Sequence, residues 1–158
     1  MTQLDTIYNL KLLEIAAAIP HSERLAHPQA TATAHSKLCG STVTVDLDLA
    51  HYRVSAFGQT VKACLLGQAA ASVMGREIIG TSVAEIRAVG REMRSMLREG
   101  GPPPSGRWAD LGLLEPVRDY KARHASTLLV FDAVEAAIAK IESERAAHAD
   151  GQPRAARA

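Results

Sequence analysis

Cys39 and Cys64 are the only cysteines in this sequence and the side chains best suited to soft-metal or sulfur chemistry. Cys39 lies in His35-Ser36-Lys37-Leu38-Cys39-Gly40-Ser41-Thr42, where Gly40 permits the backbone conformation of a sharp turn. Cys64 follows Lys62-Ala63 and precedes Leu65-Leu66-Gly67, at the expected first turn of a helix. A helix N-terminus favours the thiolate, which is the form that binds metal or attacks sulfur. The two thiols read as inert small core residues, as a redox pair whose spacing in space the sequence does not give, or as ligands. Their placement at a turn and a helix start, where function concentrates, argues against the inert reading. There is no C-x-x-C pair, so zinc-finger chemistry is not suggested.

Several neighbours have a functional and a bland reading. His35 precedes Cys39 by four residues, so on a strand both point to one face; its imidazole would suit iron or zinc, or would simply be solvated. Lys62 and Arg123 would hold a thiolate or persulfide electrostatically, or stand as solvated surface charge. Ser41 reads first as a turn residue. No Cys–His–Asn/Asp spacing and no phosphate-binding glycine loop is recognisable, which leaves hydrolytic and nucleotide chemistry without support. The protein is expected not to be an enzyme.

The elements that must position these groups follow from periodicity. Thr2 and Asp5 have capping-box spacing, and Leu4, Tyr8, Leu12, Ile15 and Ile19 follow at helical intervals. A helix is therefore expected over about 3–18, closed by Pro20, with a connection over 20–30. Val43, Val45, Leu47 and Leu49 alternate with Thr42, Thr44, Asp46 and Asp48, the pattern of a strand with one buried and one wet face. Weaker alternation over Ala30–Leu38 and a third run at Tyr52–Phe57 complete an antiparallel meander, with Cys39-Gly40-Ser41 turning between the first two strands. Ala63–Gly75 reads as a helix of small residues that lets another element approach closely. Ser82 and Glu85 start a further helix carrying Val83, Ile86, Met93 and Leu97 on one face. Gly100–Gly106 breaks it. Trp108–Val117 reads as a short helix with Trp108, Leu111 and Leu114 in the core. Leu128, Phe131, Val134, Ile138 and Ile141 mark a long last helix.

The expected fold class is α+β: a small three-stranded antiparallel sheet packed against four to five helices. A single domain is expected over 1–145, followed by a disordered tail over 146–158, which lacks bulky apolar groups. The 158 residues suffice for one real core, and aromatics at 4% leave it to small aliphatic side chains. A net charge of +1 gives no ground for a nucleic-acid or membrane partner. No targeting layout and no bilayer-length apolar run is visible, so a cytoplasmic protein is expected.

The order of elements and the cysteine contexts resemble the NifU/IscU/SufU (U-type) iron–sulfur scaffold family. Leu4-Asp5-Thr6-Ile7-Tyr8 resembles its first helix, Leu38-Cys39-Gly40 its first cysteine turn, and Phe57-Gly58 with Ala63-Cys64 its second cysteine segment. Gly75-Arg76-Glu77-Ile78 resembles the following linker. The stretch Met93–Leu114, with Leu111-Gly112, is more like the SufU branch. Ala122-Arg123 and Asp132-Ala133-Val134-Glu135-Ala136-Ala137-Ile138 resemble the surroundings of the third cysteine. The resemblance spans roughly 4–142 and implies the SufE/NifU-like fold. It also implies a scaffold that holds a transient [2Fe–2S] cluster or iron, or zinc in some members, through cysteines converging at one end. The implied partners are a cysteine desulfurase, which supplies sulfur, and acceptor apoproteins, which receive the product.

Two departures bear on that expectation. Ser41 stands where the family carries aspartate, and the third cysteine is missing. Anchoring on both flanks places its position at Ser126, with Ala125 where one branch has histidine. A pairing shifted by one keeps His124 as the histidine and puts the cysteine position at Ala125. The implied metal set is Cys39 and Cys64, with His124, Ser126, Ser41 and His35 as lesser candidates. A site short of one thiolate would be completed by His124 or His35 or by a homodimer sharing the cluster, or it would no longer hold metal. The alternatives are a zinc-bound or metal-free sulfur acceptor for a desulfurase, a metal-free binding or regulatory relative, and a thiol–disulfide switch.

Overall fold

The structure is a computed structural model, and it describes residues 9–151. The expected capping box at Thr2 and Asp5 lies outside the described residues. The first described helix, α1 (Leu10–Ala17), starts at Asn9, whose side-chain oxygen accepts from Leu12 N at 2.8 Å. Leu12 and Ala16 face inward from it. Strands β1 (Ala30–His35), β2 (Thr42–Ala50) and β3 (Arg53–Lys62) form a three-stranded antiparallel meander in the order β1-β2-β3. Helices α2 (Leu65–Glu77), α3 (Val83–Glu99) and α4 (His124–Gly151) follow, with 3₁₀ segments at Gly106–Asp119 and Lys121–Arg123 between the last two. The α+β class is as the sequence indicates.

The core lies between the sheet and α4. Val43, Val45, Leu47 and Leu49 of β2 are buried in it, as their alternation requires, and α4 packs on β2 with Phe131, Val134, Ile138 and Ile141 buried in the same core. Ser82 caps α3 by accepting from Glu85 N at 3.1 Å. Gly100 ends that helix in the left-handed region at φ 72°. The 14-residue stretch Gly106–Asp119 is 3₁₀ rather than α-helical. Its buried residues are Trp108, Leu111, Leu114 and Val117, spaced by exactly three, and a 3₁₀ turn of three residues puts all four on one line.

Two expectations need correction. β3 does not stop at Phe57 but continues to Lys62. Gly58 has no side chain, and a Cβ there would overlap the Glu23 carbonyl, so the connection over 20–29 can cross the sheet at that point. Gln59 is fully buried and donates from Nε2 to the Ala71 carbonyl at 2.9 Å and the Pro20 carbonyl at 3.3 Å. Second, the outer face of β2 is not uniformly wet. Asp46 is 0% exposed beneath the same connection, where Arg24 donates to it at 2.6 and 3.0 Å, Thr31 at 2.6 Å and Leu25 N at 3.0 Å. Helix α4 runs to Gly151. Alanine is the strongest helix former, which favours helix in this alanine-rich stretch. Residues 152–158 lie outside the described residues. No helix among the described residues is long and apolar enough to cross a membrane.

Candidate functional site

Three elements meet at one end of the sheet. The turn after β1 carries Cys39: Gly40 N donates to the Ser36 carbonyl at 2.8 Å, and Ser36 N to the Ser41 carbonyl at 2.9 Å. Gly40 sits at φ 75°, which favours glycine. Cys64 is the N-cap residue of α2, just ahead of the first turn where the sequence puts it; its carbonyl accepts from Gln68 N at 2.9 Å. The start of α4 brings Ser126, which donates to the Arg123 carbonyl at 3.2 Å. The approach of α2 to α4 depends on Gly67. A Cβ there would lie 2.9 Å from the Ser126 carbonyl oxygen and 2.9 Å from Ala63 Cβ. Gly67→Ala is therefore expected to push α4 away, lowering stability by roughly 1–3 kcal/mol in thermal unfolding. An unchanged transition would contradict this packing.

The result is a shallow cavity of about 230 Å³ lined by Leu38, Cys39, Cys64, Ala122, Arg123 and Ser126. Cys39 is exposed and Cys64 half-buried, and neither is in a disulfide. Cys64 Sγ lies 3.5 Å from Ser126 Oγ. Cys39 Sγ lies 3.0 Å from Ser41 Oγ and donates to Ser36 Oγ at 3.5 Å. A hydroxyl that accepts from a thiol can rotate to donate to the thiolate. The hydroxyls of Ser36 and Ser41 and the Ser41 backbone N–H accordingly lower the Cys39 pKa from 9.0 to about 7, with a smaller effect from Ser126. Near neutrality about half of Cys39 is thiolate. Alkylation of Cys39, followed by peptide mass spectrometry in a Cys64→Ala background, should show a half-maximal rate near pH 7. Ser36→Ala should move that midpoint upward; an unmoved midpoint would contradict the assignment. Ser36 was not singled out in the sequence, although its place three residues before Cys39 in a glycine turn is a usable signal.

The other sequence candidates are distributed as follows. Ser126 faces the cysteines, whereas Ala125 lines a neighbouring cavity with His124, Arg118 and Lys121. His124 is 7% exposed, and its Nε2 lies 3.1 Å from the Val117 carbonyl and 3.0 Å from the Arg118 carbonyl. Two carbonyl acceptors require that nitrogen to be an N–H donor, which occupies it away from the thiols. His35 is exposed at the end of β1, opposite Thr42, and does not line the cavity. Ser41 bonds Cys39 and is 6% exposed. Among the described residues, no three His, Cys, Asp or Glu side chains gather closely enough to hold a metal ion. Within the cavity one chain therefore presents two cysteine thiols and the Ser126 hydroxyl.

This end-of-sheet dithiol on a meander backed by helices can be set beside known proteins. Neither a protein-family model nor a curated protein matches the chain. A solved structure described as a nitrogen-fixing NifU-like protein (N-terminal) from Brucella abortus is 54% identical, with a TM-score of 0.88, covering 90% of this chain and 99% of that one. The chain belongs to the NifU-like, or U-type, scaffold family. A putative iron–sulfur cluster assembly scaffold protein for the SUF system from Fervidobacterium islandicum AW-1 is 18% identical, with a TM-score of 0.76 over 84% of this chain and 97% of that one. A protein described as hypothetical is also 18% identical, with a TM-score of 0.72 over 86% and 96%. These last two show the shared fold.

Proposed function

We propose that this protein is an iron–sulfur cluster assembly scaffold or carrier, not an enzyme. It would hold a [2Fe–2S] cluster or iron transiently through Cys39 and Cys64 and pass it to acceptor apoproteins, with sulfur supplied by a cysteine desulfurase. The carrying observation is that Cys39 and Cys64, from separate elements, open into one cavity beside Ser126. Thiolates are the soft anionic ligands that iron–sulfur chemistry needs. Few ligands and an open mouth suit cargo that must leave again, and free thiols suit the reducing cytoplasm. The test is transfer: protein reconstituted with iron and sulfide without oxygen should restore the visible spectrum of an apo-ferredoxin. An acceptor that stays colourless beside loaded carrier would contradict the reading.

The exposed, half-ionised Cys39 thiol favours a second reading, sulfur acceptance. Its thiolate would attack the outer sulfur of a desulfurase persulfide, leaving the desulfurase thiolate and a persulfide on Cys39. Mass spectrometry after incubation with a desulfurase and cysteine should find one added sulfur on the Cys39 peptide. An unmodified peptide excludes it.

A further inference from the structure

The carrier reading leaves open what completes a cluster site with two thiolates, and the charges around the mouth bear on that question. Lys37 and Leu38 lie on the cysteine turn, and both are exposed. Exposed Lys62 is opposite Thr42 in the sheet and two residues from Cys64. Exposed Arg123 lines the cavity itself. The stretches 35–42, 60–68 and 121–131 that build the site contain no Asp or Glu. Six arginines away from the site pair with carboxylates: Arg24, Arg76, Arg87, Arg94, Arg107 and Arg118. Among the described residues none of Lys37, Lys62 and Arg123 has a carboxylate partner. Arg123 in the cavity wall, with Lys37 and Lys62 on the segments that carry the two thiols and no carboxylate on those segments, favours an anion there.

We infer that the outer ligands of the cargo come from an anionic low-molecular-mass thiol of the glutathione class, with its carboxylates held by Arg123, Lys37 and Lys62. This inference rests on the carrier reading. An oxidised [2Fe–2S] core with four thiolates is a dianion, so the cationic rim offsets charge that the cargo brings. Each incoming thiol gives up its proton to solvent as its sulfur binds iron, and no electron is transferred. The alternatives within the molecule fit less well. His124 Nε2 is engaged by two carbonyls on the side of another cavity, and His35 does not line this one. A second copy placed face to face would supply two thiolates but would bring the Lys37, Lys62 and Arg123 of both copies together, and like charges at close quarters oppose such an interface. A small acidic thiol supplies sulfur and negative charge at once. The cellular glutathione pool also makes a reversible ligand continuously available.

The experiment is reconstitution of the full chain with ferric iron and sulfide without oxygen, in parallel with glutathione and with the neutral thiol 2-mercaptoethanol, read by native mass spectrometry. The expected main species with glutathione is one chain, one cluster and two glutathiones, with several-fold lower loading in the neutral thiol. The Lys37→Ala/Lys62→Ala/Arg123→Ala variant, whose changes are all at exposed positions, should lose about tenfold of that species. Its circular dichroism and thermal transition should match wild type, which shows that it folds. Equal loading of wild type with either thiol, or a cluster bridging two chains without glutathione, would overturn the inference and leave the carrier reading standing. No cluster with either thiol would overturn the carrier reading itself.

Discussion

Ser126→Cys is expected to tighten zinc binding by roughly 10–100-fold, the scale on which single groups around a metal act. Ser126 Oγ lies 3.5 Å from Cys64 Sγ on the wall of the cavity that also holds Cys39. Two thiolates on one tetrahedral zinc stand roughly 3.8 Å apart, given zinc–sulfur bonds of about 2.3 Å. A sulfur at position 126 is thus already near ligand spacing from Cys64. Three protein ligands with water in the fourth position make a stable zinc site, whereas two do not. Competition against a chromophoric chelator, under a non-thiol reductant, measures the change. Ser126→Ala should leave the weak wild-type affinity within about threefold, because serine is a poor ligand near neutral pH. If Ser126→Cys binds zinc no better than Ser126→Ala, the cavity is not arranged around metal.

Asp46→Ala is expected to produce the largest loss of stability outside the apolar core. Burial by itself pushes this carboxyl up, but hydrogen bonds from Arg24, Thr31 and Leu25 N, with the Arg24 charge, outweigh it and hold it below the usual range. Removing the carboxylate deprives a backbone N–H and a threonine hydroxyl of their acceptor and unpins the connection over 20–29 from β2. That should cost roughly 2–4 kcal/mol and lower the melting temperature by roughly 5–15 °C. Arg24→Ala should cost less, since the Arg24 side chain is 56% exposed and its loss leaves the other donors in place. The same carboxylate gives a pH dependence. A depressed folded-state pKa contributes stability that is present above the unfolded value near 4 and lost as pH falls through the folded one. Wild type should therefore lose stability below about pH 4 with a component that Asp46→Ala lacks. Parallel curves for the two proteins would contradict it.

What the sequence made legible is what local rules determine. The alternation of Val43, Val45, Leu47 and Leu49 gave β2 its buried face, and the Ser82/Glu85 pair marked the start of α3. The glycine beside Cys39 marked the cysteine turn, and the small residues after Cys64 marked the close approach of α2 to α4. What local rules missed is what distant segments impose. Asp46 looked solvated because its alternation is polar, but a connection more than twenty residues earlier covers it. Gly58 and Gln59 interrupt the β3 pattern because each serves a contact with another segment. The strict three-residue spacing of Trp108, Leu111, Leu114 and Val117 was present in the sequence and specified a 3₁₀ line rather than an α-helical face. At the site, the sequence singled out both cysteines and Ser126. It could not show that the His124 imidazole is turned to the carbonyls of Val117 and Arg118. Nor could it show that the serines around Cys39 poise that thiol near neutrality.

Iron and acid-labile sulfide bound per chain, measured after anaerobic reconstitution of wild type beside the Cys39→Ala/Cys64→Ala variant, test the carrier assignment most directly. Wild type should bind iron and sulfide in equal amounts with visible cluster absorption, and the double variant should fall at least about tenfold. Its circular dichroism should stay that of wild type, because Cys39 is exposed and the half-buried Cys64 precedes the first turn of α2 rather than lying within the helix. Equal loading of both proteins, or a wild type that remains colourless and iron-free, would contradict the account.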